Sequence, residues 1–165
     1  MASKPPSIPI TSAGLAALRA RYDHLLGTER PAIVEIVSWA AGNGDRSENG
    51  DYLYGRKRMR EIDRELTHLA RRMKSAQVIE PGAQPDKGKV WFGATVTMVD
   101  EDDTEKQVTL VGDDEQDPAQ GRIGWSAPIA WALRGAAVGD LRKVRLPSGE
   151  KEWEVLAIAY PEGLA

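Results

Sequence analysis

Three carboxylates, Asp45, Glu48 and Asp51, fall within the stretch Gly44-Asp45-Arg46-Ser47-Glu48-Asn49-Gly50-Asp51-Tyr52. Asp45 and Glu48 are hard oxygen ligands three residues apart, and Ser47 and Asn49 add neutral oxygens beside them. Magnesium takes one or two protein carboxylates and completes its shell with water and substrate phosphates. Alone, the pair makes a weak cation site. Offered to an ion already half-held by another macromolecule, it can complete one. The same spacing fits a solvated loop whose acids cap a following helix at the positive end of its dipole. Spacing leaves both readings open, so the flanking elements must decide how the stretch is presented.

Upstream, over residues 11–41, apolar residues follow a three-four spacing: Leu15, Leu18, Tyr22 and Leu25, then Ala32, Ile36 and Trp39. Glu29 occupies a seam position and Pro31 follows. Proline removes a helical hydrogen bond and crowds the preceding turn, so a kink or short break is expected near residues 27–31. Thr11 or Ser12 is the expected N-cap. Downstream, over 51–77, Tyr52, Gly55, Met59, Ile62, Leu66, Leu69, Met73 and Ala76 form a heptad seam. Asp51 or Asn49 can cap its start, and Pro81-Gly82 stops it. Two such runs joined by a short polar connector predict an antiparallel hairpin within one chain, because closing a short connector costs little. At the helical rise per residue the rod is roughly 40 Å long. The acidic stretch 44–52 then sits exposed at its far end.

Residues 79–88 read as a linker rich in Pro and Gly. Beyond it the period becomes two: Val90, Phe92, Ala94, Val96 and Met98 alternate with polar or small residues, and Val108–Leu110 follows an acidic turn at 100–103. Residues 141–146 and 153–160 make two further strands around the turn Pro147-Ser148-Gly149. Pro128 opens a short helix over 128–133. The acidic run 100–103 reads as a solvated hairpin turn, since its spacing fails an EF-hand. The expected class is therefore α+β, a helical hairpin followed by a small, mostly antiparallel sheet with one helix.

The second helix also carries Arg56-Lys57-Arg58-Met59-Arg60, then Arg64, Arg71, Arg72 and Lys74. Arg56, Arg60, Arg64 and Arg71 fall near one helical face and can track phosphates. The interleaved Glu61, Asp63 and Glu65 fit an ordinary solvated charged face equally well. Tyr52 and Tyr54 can stack on a base, although Tyr52 is on the seam, where packing is the better use. Charge is uneven along the chain: residues 1–78 hold 13 Lys and Arg against 9 Asp and Glu, and residues 79–165 hold 9 against 16. Different partners for the two halves would produce that asymmetry.

Several chemistries are excluded. With no cysteine, disulfides and thiolate metal sites cannot form, which fits a reducing cytoplasm. His24 and His68 are on separate helices, so zinc is not expected. Neither a nucleophile elbow nor a phosphate-binding glycine loop is present. No apolar run approaches the roughly 20 residues that span a bilayer. Residues 1–9 lack the apolar core of a signal peptide and read as a short disordered arm.

At these residues the chain resembles the bacterial transcript cleavage factors of the GreA/GreB family, its GreB branch above all. The carriers are Trp39-Ala40-Ala41, the tip stretch Gly44 to Asn49 with Asp51-Tyr52, and Lys57-Arg58-Met59-Arg60-Glu61-Ile62-Asp63-Arg64. Glu29-Arg30-Pro31, Gly88-Lys89-Val90-Trp91-Phe92-Gly93-Ala94, Ser126-Ala127-Pro128-Ile129-Ala130 and Val138-Gly139-Asp140 add to it. The resemblance covers about residues 8–160. It implies a coiled-coil hairpin over 8–78, the linker 79–88, and over 89–160 an FKBP-like domain without prolyl isomerase activity.

It further implies a cytoplasmic monomer that is no enzyme itself. The hairpin would enter the secondary channel of a backtracked bacterial RNA polymerase while the sheet domain docks on the channel rim. Asp45 and Glu48, with Ser47 beside them, would help hold a catalytic Mg²⁺ shared with the polymerase and orient water, so that the polymerase cuts its own extruded RNA. No cofactor would be tightly bound, and no membrane contacted. The family's RNA-holding patch falls on Arg56, Lys57, Arg60 and Arg64, and its docking segment on Ser126, Pro128 and Ile129. Departures from the family pattern are Gly42-Asn43 before the tip, Gly50 for a usual Ala, Ala127 for a common Ser, and Trp131 for a common Arg. A channel-binding regulator that inhibits without stimulating cleavage shares this architecture, but has no need of the Asp45–Glu48 pair. A free-standing metal nuclease would need a closed, drier site than two tip carboxylates provide.

Overall fold

The computed structural model describes residues 7–42 and 49–161. Two compact units are present, one of residues 16–75 and the other built from the segments on either side of it.

The first unit is an antiparallel helical hairpin. Helix α1 (Ser12–His24) runs into a π-helical turn, Leu25–Glu29, and on into α2 (Arg30–Ala41); α3 (Gly50–Ser75) returns. At 26 residues, α3 is about 39 Å long. Leu25, Ile62 and Leu69 are buried between the helices, with Leu18, Tyr22, Ile33 and Leu66 packed against them. The α3 seam is the one its heptads predict. Seam position Gly55 is buried, and a Cβ there would lie 2.5 Å from Val37 Cγ2. The glycine therefore lets the two helices approach closely.

The α2 seam corrects the expectation. The irregularity expected near residues 27–31 is present as the π-helical turn Leu25–Glu29, in which the N–H of Arg30 bonds to the Leu25 carbonyl, five residues back, and the helix continues through Pro31. A turn widened by one residue accommodates a proline that can neither donate nor tolerate the usual carbonyl position. The inserted residue also advances the phase of everything that follows. Ile36 and Trp39, expected in the seam, are 42% and 65% exposed, and Ala32 is exposed as well. Their neighbours Ile33 and Val37 are half-buried and Ala40 is buried.

In the second unit, β1 (Ile8–Ile10) pairs in parallel with β2 (Ala76–Val78). Residues 8 and 9, expected in a disordered arm over 1–9, thus belong to a strand, and α3 ends at Ser75 rather than at Gln77. Strands β3 (Thr95–Asp100), β4 (Glu105–Val111), β5 (Arg122–Gly124), β6 (Leu141–Leu146) and β7 (Gly149–Ala159) form one sheet in the order β5-β4-β3-β7-β6. All pairs are antiparallel except β4 with β5. Burial along β3 alternates strictly, as a strand with one face on a core requires. Helix α4 (Pro128–Leu133) matches the sequence expectation and covers the sheet. Val96, Met98, Val108, Leu110, Leu133 and Val155 are among the buried residues of this core.

Residues 90–94 are not the strand that their alternation predicted. Val90, Phe92 and Ala94 are buried, but Gly93 takes φ 88° and turns the backbone, its N–H bonding to the Leu110 carbonyl. The acidic turn at 100–103 is also not wholly solvated. Asp100 is buried, and its Oδ1 accepts the N–H groups of Asp102 and Thr104, each at 2.9 Å. Those bonds, that of Thr104 foremost, hold its carboxyl below the usual carboxylate range against the opposing effect of burial; Lys151 Nζ at 3.3 Å assists.

Thr11, rather than Ser12, caps α1: its Oγ1 accepts the Gly14 N–H at 3.1 Å. Glu115, 104 residues away in sequence, completes the cap. Its carboxylate accepts from the Thr11 N–H at 3.1 Å and from the Thr11 hydroxyl. A capping box normally draws its acid from the helix's own first turn.

Candidate functional site

Asp45, Ser47 and Glu48 lie outside the described residues. The described ends on either side of them are fastened to each other. Asn49 Nδ2 donates to the Ala40 carbonyl at 2.7 Å, and Asn49 Oδ1 accepts the Tyr52 N–H at 3.2 Å. One amide therefore caps α3 and clamps it to the last turn of α2. Of the two expected caps, Asn49 performs the role, and Asp51 is exposed in the first turn. Gly42 closes α2 with an ordinary right-handed conformation, and Gly50 opens α3 with open space where a Cβ would stand.

On α3 the charges that alternate in sequence are sorted in space. Glu65 pairs with Arg21 at 2.9 Å, Asp63 with Arg30 at 2.9 Å, and Glu61 with Arg58 at 3.2 Å. Arg58 also bonds to Glu29 of the π turn. The bond from Arg58 holds the Glu29 carboxyl below its ordinary value, despite the opposing effect of partial burial. The same bond raises the Arg58 guanidinium, with Glu61 adding to it. Arg58 is thereby committed to the hairpin. Arg56, Lys57, Arg60 and Arg64 are exposed and make no ion pair among the described residues. Arg64 Nε rests 3.4 Å from the Arg60 carbonyl. Further along the helix, Asp63, Arg64, Thr67, His68 and Arg71 line a shallow groove of about 430 Å³.

In the sheet unit, the segment 126–129 presents two different faces. Ser126 and Pro128 are exposed, whereas Ile129 is half-buried against the core. The Ser126 N–H is fixed by Asp113 Oδ1 at 2.9 Å. Ala127 stands at the N-cap of α4 and offers no side-chain acceptor.

One feature beside this segment escaped the sequence reading. The Arg134 guanidinium lies between Trp125 and Trp131, with Cζ 3.7 and 3.5 Å from their ring centroids. A tryptophan three residues before an arginine on a short helix is the local signal for such contact. The second indole comes from outside the helix, and no local pattern announces it.

Among the described residues, no group of three or more His, Cys, Asp or Glu could hold a metal ion. No helix there is long and apolar enough to cross a membrane.

Comparison with known proteins agrees across both units. Residues 8–78 match the family described as "Transcription elongation factor, N-terminal", and residues 84–160 match "Transcription elongation factor, GreA/GreB, C-term". The chain is 48% identical to transcription elongation factor GreB of Neisseria meningitidis serogroup B over 92% of its own length and 93% of that protein. It is 39% identical to transcription elongation factor GreA of Alkalilimnicola ehrlichii, over 93% and 98% respectively. Among solved structures, the prokaryotic transcription elongation factor GreA/GreB from Nitrosomonas europaea is 22% identical, with 94% of this chain and 99% of that chain covered and a TM-score of 0.41.

Proposed function

The chain belongs to the GreA/GreB family of transcription elongation factors, and from that premise we propose that it stimulates a bacterial RNA polymerase to cut the 3′ end of its own backtracked RNA. It acts in the cytoplasm as a monomer, by inserting the hairpin into the polymerase's secondary channel. It is not itself the nuclease. Asp45 and Glu48 are the acids presented at the tip, with Ser47 beside them. Two carboxylates are the hard oxygen donors that Mg²⁺ accepts, and too few to hold it alone; the polymerase supplies the remaining ligands. Asp45 and Glu48 would hold one ion of a two-metal site, and the two ions together would stabilise charge on the attacking and leaving oxygens of a phosphodiester cleavage. The chain's own part is to bring the carboxylates to that point and to orient water with them.

Support comes above all from the sorting of charge on α3. The three acids that interrupt its basic run are each paired with an arginine. Arg56, Lys57, Arg60 and Arg64 remain available to the phosphates of extruded RNA. The Asn49 clamp supports the same reading from the other side, because it fixes the two helix ends from which the tip residues extend. Docking on the channel rim falls to Ser126, Pro128 and Ile129, with Ile129 acting mainly as the packing residue that holds the segment to its core.

The test is transcript cleavage in stalled, backtracked complexes of the cognate polymerase. Asp45→Asn combined with Glu48→Gln should reduce stimulation by at least about a hundredfold, the scale on which loss of charge stabilisation acts in mutagenesis. Binding should be retained. Cleavage by the double variant at the wild-type rate would overturn the mechanism. Binding without stimulation by either form would make the chain an inhibitory channel regulator, and RNA cutting without polymerase would make it a nuclease.

A further inference from the structure

We propose that Trp131 is the specificity-determining contact of the docking segment, the residue by which this chain grips and selects its polymerase; the inference rests on the polymerase-binding reading above.

Trp131 is 61% exposed, yet it is not free to move. Its indole is stacked on the Arg134 guanidinium, which Trp125 covers on the other side. Arg134 Nη2 donates to the Trp125 carbonyl, and Arg134 Nε is buried without a hydrogen-bond partner among the described residues. Burial pushes the guanidinium pKa down, with the nearby Asp113 opposing. Folding has therefore immobilised and partly dried a cation in order to brace an indole that still faces solvent. Much of the ordering cost of a tryptophan contact is met before any partner arrives.

The braced ring lines a cleft of about 580 Å³. Pro128 and Ala132 form its apolar side with Trp131; Lys143, Arg145 and Glu150 line the remainder. Glu150 accepts from Arg145 Nε at 2.8 Å and lies 3.9 Å from Lys143 Nζ. One acid against two cations leaves that wall positive. The occupant that fits is an apolar side chain with a neighbouring carboxylate, carried by the channel rim of the polymerase. The cleft is continuous with the docking segment, since Pro128 belongs to both. Tryptophan and arginine are also the residue types that dominate interface energetics.

An arginine at this position would seek a carboxylate directly and lose strength as salt is added. An indole replaces that contact with an apolar one. Selection among polymerases at this position then depends on shape and apolar area rather than on charge.

The experiment measures affinity of the full chain for its cognate core polymerase, together with cleavage as a function of factor concentration. Trp131→Ala should weaken binding at least about tenfold, as loss of an interface anchor does. The factor concentration for half-maximal cleavage should rise by the same ratio, with the maximal rate unchanged. Trp131→Phe should recover most of the loss. The Trp131→Ala deficit should be equal at low and high salt. Trp131→Ala binding within about twofold of wild type, well below an anchor's effect, would overturn the proposal. So would a lowered maximal rate at unchanged affinity, or self-association that the substitution abolishes, which would assign the cleft to a second copy. The variant with Asp45→Asn and Glu48→Gln should bind normally and not stimulate, so a docking failure is told apart from a failure of tip chemistry. Failure of the wild-type chain to bind polymerase at all would overturn the underlying reading and this inference with it.

Discussion

In the hairpin, the buried apolar cluster is Leu25, Ile62 and Leu69, with four half-buried neighbours; the sheet unit encloses a cluster of twelve buried residues between strands and α4. The hairpin adds ion pairs across its helices, Arg21–Glu65, Arg30–Asp63 and Arg58–Glu29. The sheet unit has ion pairs too, Arg145–Glu150 between neighbouring strands among them, but it also uses polar side chains on turns and caps, as Asp100 does at the β3–β4 turn and Glu115 beside Thr11 at the start of α1. A two-helix element has one narrow seam to bury, so its remaining specificity must come from charges flanking that seam. A sheet covered by a helix has a broad face, and apolar burial carries more of its specificity. The contrast suits the proposed division of labour. On that proposal, the element that would work among phosphates pairs Glu61, Asp63 and Glu65 and leaves Arg56, Lys57, Arg60 and Arg64 exposed, while the element that would dock is apolar at its centre.

The comparison is broken most severely by a cavity in the larger core. Leu110→Ala should cost about 3–4 kcal/mol, within the range for buried leucines, because the tightly packed sheet cannot collapse around the space. Denaturant unfolding followed by tryptophan fluorescence would measure it, all five tryptophans but Trp39 lying in the sheet unit. A loss below about 1 kcal/mol would show a core looser than that range allows. Next comes overpacking of the hairpin. Gly55→Ala places a methyl where Val37 Cγ2 stands 2.5 Å away, and should cost about 2 kcal/mol as the helices are forced apart. Helical circular dichroism should melt earlier while the near-ultraviolet signal of the sheet is unchanged. Unaltered or increased helix stability would show that Val37 can turn aside.

The smallest effect is the most specific to the hairpin's electrostatics. Glu29 is held below its ordinary value chiefly by its bond from Arg58. A depressed carboxylate contributes stability that is present above its unfolded value, about 4.3, and is lost as pH falls through the folded one. Acid should therefore loosen the wild-type hairpin across that window. Glu29→Gln should lower stability at neutral pH and flatten the acid dependence of the helical signal. Parallel titration curves for variant and wild type would show that Glu29 contributes nothing beyond an exposed surface pair.

Much of this was legible in the chain, and for identifiable reasons. The α3 seam from Gly55 to Leu69, helix α4 and strand β6 follow from local periodicity and local punctuation. Asp45 and Glu48 are legible only as residue types at a spacing, and they lie outside the described residues. Arg134 was missed because its bracket needs Trp125, which no helical spacing connects to it.

The sequence by itself determined the α+β class and the family, because periodicity and motif spacing are set by neighbours along the chain. Tertiary structure alone decided three other matters. The i to i−5 bond from Arg30 to Leu25 moved the α2 seam to Ile33, Val37 and Ala40; a single inserted residue rotates every later side chain about the axis, and hydrophobic spacing cannot register it in advance. Glu115 came to hold the capping residue Thr11, 104 residues away in sequence. Arg58 was drawn into the hairpin while Arg56, Lys57, Arg60 and Arg64 were left outside it. A charge finds its partner by which face of which helix lies opposite, and that is fixed only when the chain has folded.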